Sequence, residues 1–323
     1  MAASARLKMY SEAELIARAR RFPRFHRQLT LGIDDDAALL QAVEQTLVWS
    51  VDTLAEDTHF LRSMPPAEIG WKALAVNLSD LAAMNARPVA ALLSLSLPPD
   101  LSTGWIKSFF EGLEAACQTY QVDLAGGDTV RQRDLINLSI SVLGQSARPF
   151  TRQGARAGDL LVLSGTLGAS AAGLWAYQQG LQHPELWQRH WHPVPRFDIA
   201  ALLDKYCTRV AALDTSDGLL RSIQILCHQN QLGCQIQLAD LPAAPELNAL
   251  TVSVAQRQHW VLNGGEDFEL LAAVPAASVP ALLDAAAGDL SVIGCLSALP
   301  EMLLQDGDQS RELTALLSDF QHF

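Results

Sequence analysis

Carboxylates set at the ends of apolar segments limit what this chain can fold into. Across residues 32–60 an acidic triplet, Asp34-Asp35-Asp36, precedes a short apolar run that ends in Asp52, Glu56, Asp57 and His59. Three adjacent aspartates repel one another, so burying them without a counter-charge is costly. An isolated triplet reads as a solvated acidic loop. Here it lies between apolar segments, and single aspartates recur later beside glycines and serines. That pattern fits carboxylates gathered around cations.

Each later carboxylate has its own setting. In residues 46–52, Leu47, Trp49 and Val51 alternate with Val48, Ser50 and Asp52, which predicts a half-buried strand with Asp52 at its end. Residues 68–85 have helical period: Leu74, Leu78 and Leu81 form one line, and Asn77, Asp80 and Met84 share a neighbouring face. Asp80 stands in an apolar run and needs a partner, either a cation or an ion pair with Lys72 or Arg87. A helix over 102–120 leads to Val122-Asp123-Leu124-Ala125-Gly126-Gly127-Asp128-Thr129, where the glycine pair reads as an anion-cradling nest or a plain tight turn. Ile136, Leu138, Ile140 and Val142 then mark a strand with one wet face.

Residues 146–158 shift to Arg, Pro and Gly and mark a boundary between domains 1–148 and 149–323; Arg152 and Arg156 fall at this junction. In the second half, Gly165-Thr166-Leu167-Gly168 joins a strand to an Ala-rich helix, a turn able to hold phosphate at the helix N-terminus. It matches neither the P-loop nor the dinucleotide fingerprint. His183, His190 and His192 fit no zinc spacing and read as surface histidines. Ala211-Ala212-Leu213-Asp214 is a strand closing on an aspartate, followed by Ser216 and Asp217 as a helix cap. Residues 233–241 alternate as a strand. Asn263-Gly264-Gly265-Glu266-Asp267-Phe268-Glu269 again sets carboxylates behind a glycine pair.

Composition excludes several classes. Apolar residues make up 49% and charged ones 18%, so a large core is available. A net charge of −12 disfavours nucleic acid and anionic lipid as partners. Five scattered cysteines without a C-x-x-C pair read as reduced core thiols. The first residues hold no uninterrupted apolar stretch, and no apolar window is long enough to span a bilayer, so a cytoplasmic protein without a membrane partner is expected.

Carboxylate oxygens without clustered His or Cys favour hard cations, Mg²⁺ above all when phosphates complete the shell. With no P-loop lysine, neutralising a triphosphate falls to several metal ions and Arg152. The inference is a metal-dependent, ATP-using phosphoryl-transfer enzyme. The rival from another class is a calcium-binding structural protein, although the sequence has no twelve-residue EF-hand loop.

The ordered motifs GIDDDAALL, VDTLAEDTHF, KALAVNLSDLAAMNARP, LAGGDTVR, TRQGARAGD, LDTSDGLL and NGGEDFELL resemble those of the thiamine-monophosphate kinase family. That family lies in the superfamily of aminoimidazole-ribonucleotide synthetase, selenophosphate synthetase and the hydrogenase maturation factor. The resemblance covers nearly the whole chain. It implies an α+β fold of two α/β domains, with the N-terminal domains of a homodimer pairing into a barrel-like core. It implies transfer of the γ-phosphate of ATP to thiamine monophosphate with several Mg²⁺ ions. By motif, Asp36, Ser50, Val51 (through its carbonyl), Asp52, Asp80, Asp128, Asp214 and Asp217 correspond to metal ligands. Gly127, Asp128, Arg152 and Ser216 correspond to ATP contacts, and His59 and Glu266 to thiamine monophosphate contacts. Asp52, Asp80, Asp128 and Arg152 are the implied catalytic set, with Asp35 beside the ligands as support.

Three positions depart from the family pattern: Asp34, Asp57 and Asn85 stand where it has glycine. Asp and Asn are the non-glycine residues most tolerant of left-handed backbone. Leu317 falls near the position of an aromatic wall of the thiamine pocket. The alternatives are another ATP-dependent enzyme of the superfamily, or a degenerate binder of nucleotide or metal without catalysis. The marks of the former, a Cys nucleophile in a Gly-rich N-terminal loop or a C-terminal cysteine tail, do not occur in the sequence.

Overall fold

In the computed structural model the described residues are 12–31, 39–41 and 44–317. Asp34, Asp35, Asp36 and the aromatic tail 318–323 lie outside them. The chain divides into two compact units, one of residues up to Leu81 with Arg87–Ala147, the other of Ala82–Ala86 and Arg148 onward.

The first unit runs α1 (Glu12–Ala19), β1 (Leu29–Leu31), β2 (Leu39–Leu40), β3 (Thr46–Ala55), α2 (Pro66–Ala83), β4 (Arg87–Leu97), α3 (Thr103–Tyr120), β5 (Asp123–Arg131) and β6 (Asn137–Ser146). Ser102 caps α3 by accepting from the Trp105 N–H, satisfying one of the donors a helix start leaves open. The main sheet has the order β3-β6-β4-β5, antiparallel except for β4 with β5. Among the described residues this sheet is open within one chain and forms no closed barrel.

Its two faces are unequal. Ile136, Leu138, Ile140 and Val142 are fully buried beneath the helical layer, as their alternation predicts. On β3 the alternation also holds, with the polarity reversed: Leu47, Trp49 and Val51 are 52%, 73% and 61% exposed, while Ser50 and Asp52 point toward the covered side. Helix α2 occupies that side, so Ser50 and Asp52 meet its polar edge, between the buried Val48 and Leu54, while Leu47, Trp49 and Val51 face outward. The strand also runs on to Ala55, so Asp52 lies inside it and not at its end.

The glycine pair corrects a second expectation. Gly126 and Gly127 are neither nest nor turn but part of β5, where one extra residue, Ala125, bulges between the pairings Ala91–Leu124 and Leu92–Gly126. Gly127 has φ +154°, and a Cβ there would stand 1.8 Å from the Leu93 carbonyl oxygen. Only glycine lets the strands approach this closely. The substituted glycine positions behave as their chemistry allows: Asp57 has φ 66° and Asn85 φ 51°, both left-handed. Asn85 is held there by donating from its side chain to the Arg148 carbonyl at 3.0 Å.

The second unit runs β7 (Leu160–Ser164), α4 (Ala169–Gln178), α5 (Pro184–Trp191), α6 (Phe197–Tyr206), β8 (Ala211–Asp214), α7 (Leu219–Asn230), β9 (Gly233–Gln237), α8 (Val254–Asn263), β10 (Leu270–Val274), α9 (Val279–Ala286), β11 (Leu290–Ser297), β12 (Met302–Asp306) and β13 (Gln309–Glu312). β9 is shorter than its alternation predicts, turning into a single helical turn at Leu238–Asp240. Among the described residues the sheet order is β13-β12-β9-β11-β7-β10-β8. One core gathers Leu161, Leu213, Ile223 and Leu271, and another Val162, Ala212, Leu203 and Leu282. Neighbouring residues of β7 and β8 thus serve opposite sides, which explains why these strands read as continuous apolar runs. All five cysteines are free; four are buried and Cys295 is exposed, so it is not a core thiol. Among the described residues no helix is long and apolar enough to cross a membrane.

Candidate functional site

In the first unit, β3 and α2 bring three of the expected residues together. The Ser50 hydroxyl donates to Asp80 Oδ2 at 2.5 Å. The Asp52 backbone N–H, on the free edge of β3, donates to Asn77 Oδ1 at 2.8 Å, and Asn77 Nδ2 donates in turn to the Ala73 carbonyl. Asn77 is fully buried, so an edge group that would otherwise go unpaired fixes the position of Asp52. Asp80 is half-buried at the polar margin of a helix whose other residues are largely buried. Just beyond β3, His59 Nδ1 lies 3.1 Å from the Ala55 N–H and accepts from it. The neutral ring therefore carries its proton on Nε2. Lys72, completely buried, donates to the His59 carbonyl at 3.0 Å and secures the same turn.

Asp128 stands elsewhere. The register aligns Asp52 with Ile140, Leu93 and Gly127, so Asp128 falls in the next row, with Thr53, Ser139 and Ser94. It is exposed on the outward face of β5, at the opposite edge of the sheet from β3. Three strand spacings separate those edges by roughly 14 Å. Among the described residues no three His, Cys, Asp or Glu side chains gather into a metal-binding group.

In the second unit the loop after β8 and the loop before β10 are laced together. The Glu266 N–H donates to the Ser216 carbonyl at 2.8 Å, the Thr215 N–H to the Glu269 carbonyl at 2.8 Å, and the Glu269 N–H to Thr215 Oγ1 at 3.1 Å. The Ser216 hydroxyl donates to Asp214 Oδ1 at 2.9 Å. Helix α7 is preceded by Gly218, and neither Ser216 nor Asp217 caps it with a side-chain bond. Capping therefore does not account for these two residues. Glu266 and Phe268 both adopt positive φ, 64° and 53°, which is costly for side-chain-bearing residues and here coincides with the candidate site. Arg152 is exposed, its backbone tied to Asn230, whose Nδ2 donates to the Arg152 carbonyl while Oδ1 accepts from the Gly154 and Ala155 N–H groups.

The glycine turn before α4 does not offer its helix N-terminus to a phosphate. Asp267 already fills it, accepting from the Gly168 N–H at 2.6 Å and the Ser170 N–H at 3.0 Å. Burial pushes the Asp267 carboxyl up from 3.8 to about 7, against the pull of those two N–H groups. Folding thus takes up a proton between these values; this contribution to stability is complete below pH 3.8 and is lost as pH rises through about 7. From pH 4 to 7 the thermal midpoint is expected to fall more steeply in the parent protein than in Asp267→Asn. Equal slopes in the two would remove this role.

His190 is likewise not a surface residue. It is 1% exposed, with Nδ1 3.0 Å from Ser170 Oγ and 3.3 Å from Glu266 Oε2. Below it, Glu269 accepts from the Ser164 hydroxyl and from Arg196, a buried arginine that also pairs with Asp198 and Asp289.

Residues 34–146 match the family model of the AIR synthase related protein, N-terminal domain. The thiamine-monophosphate kinase of Escherichia coli (strain K12) is 40% identical over 291 residues, covering 86% of this chain and 88% of that protein. The crystal structure of thiamine-monophosphate kinase from Stenotrophomonas maltophilia is 34% identical, with a TM-score of 0.78 over 88% of this chain and 92% of that one. The chain belongs to the thiamine-monophosphate kinase family. A further solved structure, AaThiL complexed with AMPPCP and TMP, is 30% identical with a TM-score of 0.74, covering 86% of this chain and 90% of that one. Both structural likenesses extend over the two units, so the family's aminoimidazole-ribonucleotide-synthetase-type α/β fold is that of this chain. The structure gives Asn77, Lys72, His190 and Asp267 contacts that their sequence positions do not assign: Asn77 holds Asp52, Lys72 the His59 carbonyl, His190 Glu266, and Asp267 the start of α4. Asn77 had a signal in its place one turn before Asp80, whereas His190 had none.

Proposed function

We propose that this chain transfers the γ-phosphate of ATP directly to the phosphate of thiamine monophosphate, forming thiamine diphosphate and ADP. The observation that carries the reading is the Ser50–Asp80 pair beside Asp52, whose backbone Asn77 holds in place. It joins two motifs of the kinase family into one patch of hard oxygen donors. Such donors fit magnesium, and the Ser50 and Asp80 oxygens, 2.5 Å apart, are close enough to share one ion. Ser50, the Val51 carbonyl, Asp52, Asp80 and Asp128, with Asp36, Asp214 and Asp217, would hold the ions. Bound magnesium supplies charge neutralisation and alignment for two anionic phosphates.

The chain's own groups supply the rest. Gly127, Asp128, Arg152 and Ser216 meet ATP. An apolar cavity lined by Leu15, Leu93, Leu95, Phe110 and Leu124, with Gly126, Gly127 and Asp128 alongside, suits its adenine ring. His59, with its proton on Nε2, donates to thiamine monophosphate, and Glu266 accepts from it. The acceptor is already an anionic oxygen, so no strong general base is needed, and catalysis rests on positioning.

A second copy of the chain completes the arrangement. Asp52 and Asp128 sit at opposite edges and on opposite faces of one sheet, which supports each cluster drawing Asp128 from the partner. The outward face carries Leu47, Trp49, Val51, Leu92 and Val130, all more than 40% exposed, an apolar surface suited to a second copy and to closure into a barrel-like core. The protein works in the cytoplasm as a homodimer, with residues 1–148 and 149–323 as its two domains. Incubation with ATP, Mg²⁺ and thiamine monophosphate should yield thiamine diphosphate and ADP in equal amounts. ATP binding without product would instead favour a degenerate binder.

A further inference from the structure

We infer that His190, from the α4–α5 hairpin, is a positioning residue that orients Glu266 for its substrate. This rests on the reading of Glu266 as a thiamine monophosphate contact and deepens it.

Glu266 is buried, 8% exposed, and its carboxylate needs a donor if it is to stay ionised and fixed in direction. His190 Nδ1 lies within reach of both Glu266 Oε2, at 3.3 Å, and Ser170 Oγ, at 3.0 Å. One protonation scheme satisfies both neighbours. Nδ1 carries a hydrogen that it shares between the carboxylate and the serine oxygen. An unprotonated Nδ1 would set a lone pair against a carboxylate oxygen. His190 and Ser170 are each 1% exposed, so water does not compete for this hydrogen.

The support reaches one step further. Asp267, the next residue after Glu266, accepts from the Ser170 N–H at 3.0 Å and so anchors the first turn of α4. The two consecutive acids thus divide the work: Asp267 fixes the helix that carries Ser170, and Ser170 with His190 aims Glu266. Glu266 needs this support because its own backbone is left-handed, with φ 64°. An ionised, directed carboxylate is an acceptor for an amino-substituted or cationic ring, the chemistry that thiamine monophosphate presents.

The test is steady-state kinetics on His190→Phe, which keeps bulk and removes the nitrogen, and on His190→Asn, whose side-chain amide can place an N–H where Nδ1 stood. His190→Phe is expected to raise the KM for thiamine monophosphate about tenfold, the worth of one charge-assisted hydrogen bond. Its kcat and its KM for ATP should stay within about twofold, a split that a merely structural defect would not give. His190→Asn should recover most of the loss. Glu266→Gln should raise the same KM, and adding His190→Phe to it should change nothing more.

An unchanged KM for thiamine monophosphate in His190→Phe, with Glu266→Gln impaired, overturns the positioning role and leaves the Glu266 reading intact. So do multiplicative effects in the double variant, or parallel losses in both substrates. An unchanged KM in Glu266→Gln overturns both. If His190→Phe does not fold, His190→Met, which likewise lacks an N–H donor, decides: a raised KM for thiamine monophosphate with kcat kept supports a role through Nδ1–H, and the parent KM overturns it.

Discussion

Asp52→Asn and Asp128→Asn, each nearly inactive alone, are expected to regain about a quarter of the parent activity when co-expressed or refolded together. In the proposed site each substitution would remove a ligand charge where two phosphates meet, and loss of one such group costs about 10²–10³-fold in kcat. Neither should disturb the fold greatly, because Asp128 is exposed and the Asp52 anchor to Asn77 runs through its backbone N–H. In the mixture about half of the dimers carry one variant of each kind. If Asp128 serves the partner's cluster, each mixed dimer holds one doubly damaged site and one intact site. If Asp52 and Asp128 served one site within a chain, every site in the mixture would be damaged and no activity would return. Measured turnover in the mixture therefore separates the two arrangements, and retained activity in both single variants would remove the metal assignment.

Trp49→Asp is expected to turn the proposed homodimer into a monomer of 35.0 kDa in analytical ultracentrifugation at micromolar concentration. Trp49 is 73% exposed at the centre of an apolar triplet, while its ring N–H already bonds Ser141 Oγ at 2.5 Å. A large aromatic at the middle of an interface is where truncation costs most, about 2–4 kcal/mol. A carboxylate in its place adds the cost of desolvating a charge on both copies. Association should weaken, with Kd rising at least about a hundredfold, and activity should fall with it and recover at high protein concentration. A variant that stays dimeric at the parent's concentration dependence would exclude this face as the interface.

The elements of the first unit were legible because their apolar periods are regular: 136–142 alternates as buried and wet, and 68–85 repeats at helical spacing. What the periods could not show was which side of β3 the helices would cover. Leu47, Trp49 and Val51 look like a core face until α2 is seen against Ser50 and Asp52. The glycine pairs were legible as places where backbone comes close, but a pair cannot announce whether a turn or a bulged strand uses the room. Helix N-termini are similar. A Gly-rich turn before α4 invites an anion, and only the folded chain reveals that its own Asp267 carboxyl takes that place.

By itself, the sequence determined the residue types in ordered motifs: oxygen donors rather than clustered thiolates or imidazoles, and Asp and Asn at positions that need left-handed backbone. Asp57 and Asn85 confirm that last point at φ 66° and 51°. These are properties of residue type and local backbone, and so can be read without a fold. Tertiary structure alone decided which donors meet. Ser50 and Asp80 come together across thirty residues, whereas Asp52 and Asp128 are set on opposite faces by one step of register. It also turned His190 from a surface histidine into the buried neighbour of Glu266. Such pairings depend on strand order and helix placement, which no local spacing encodes.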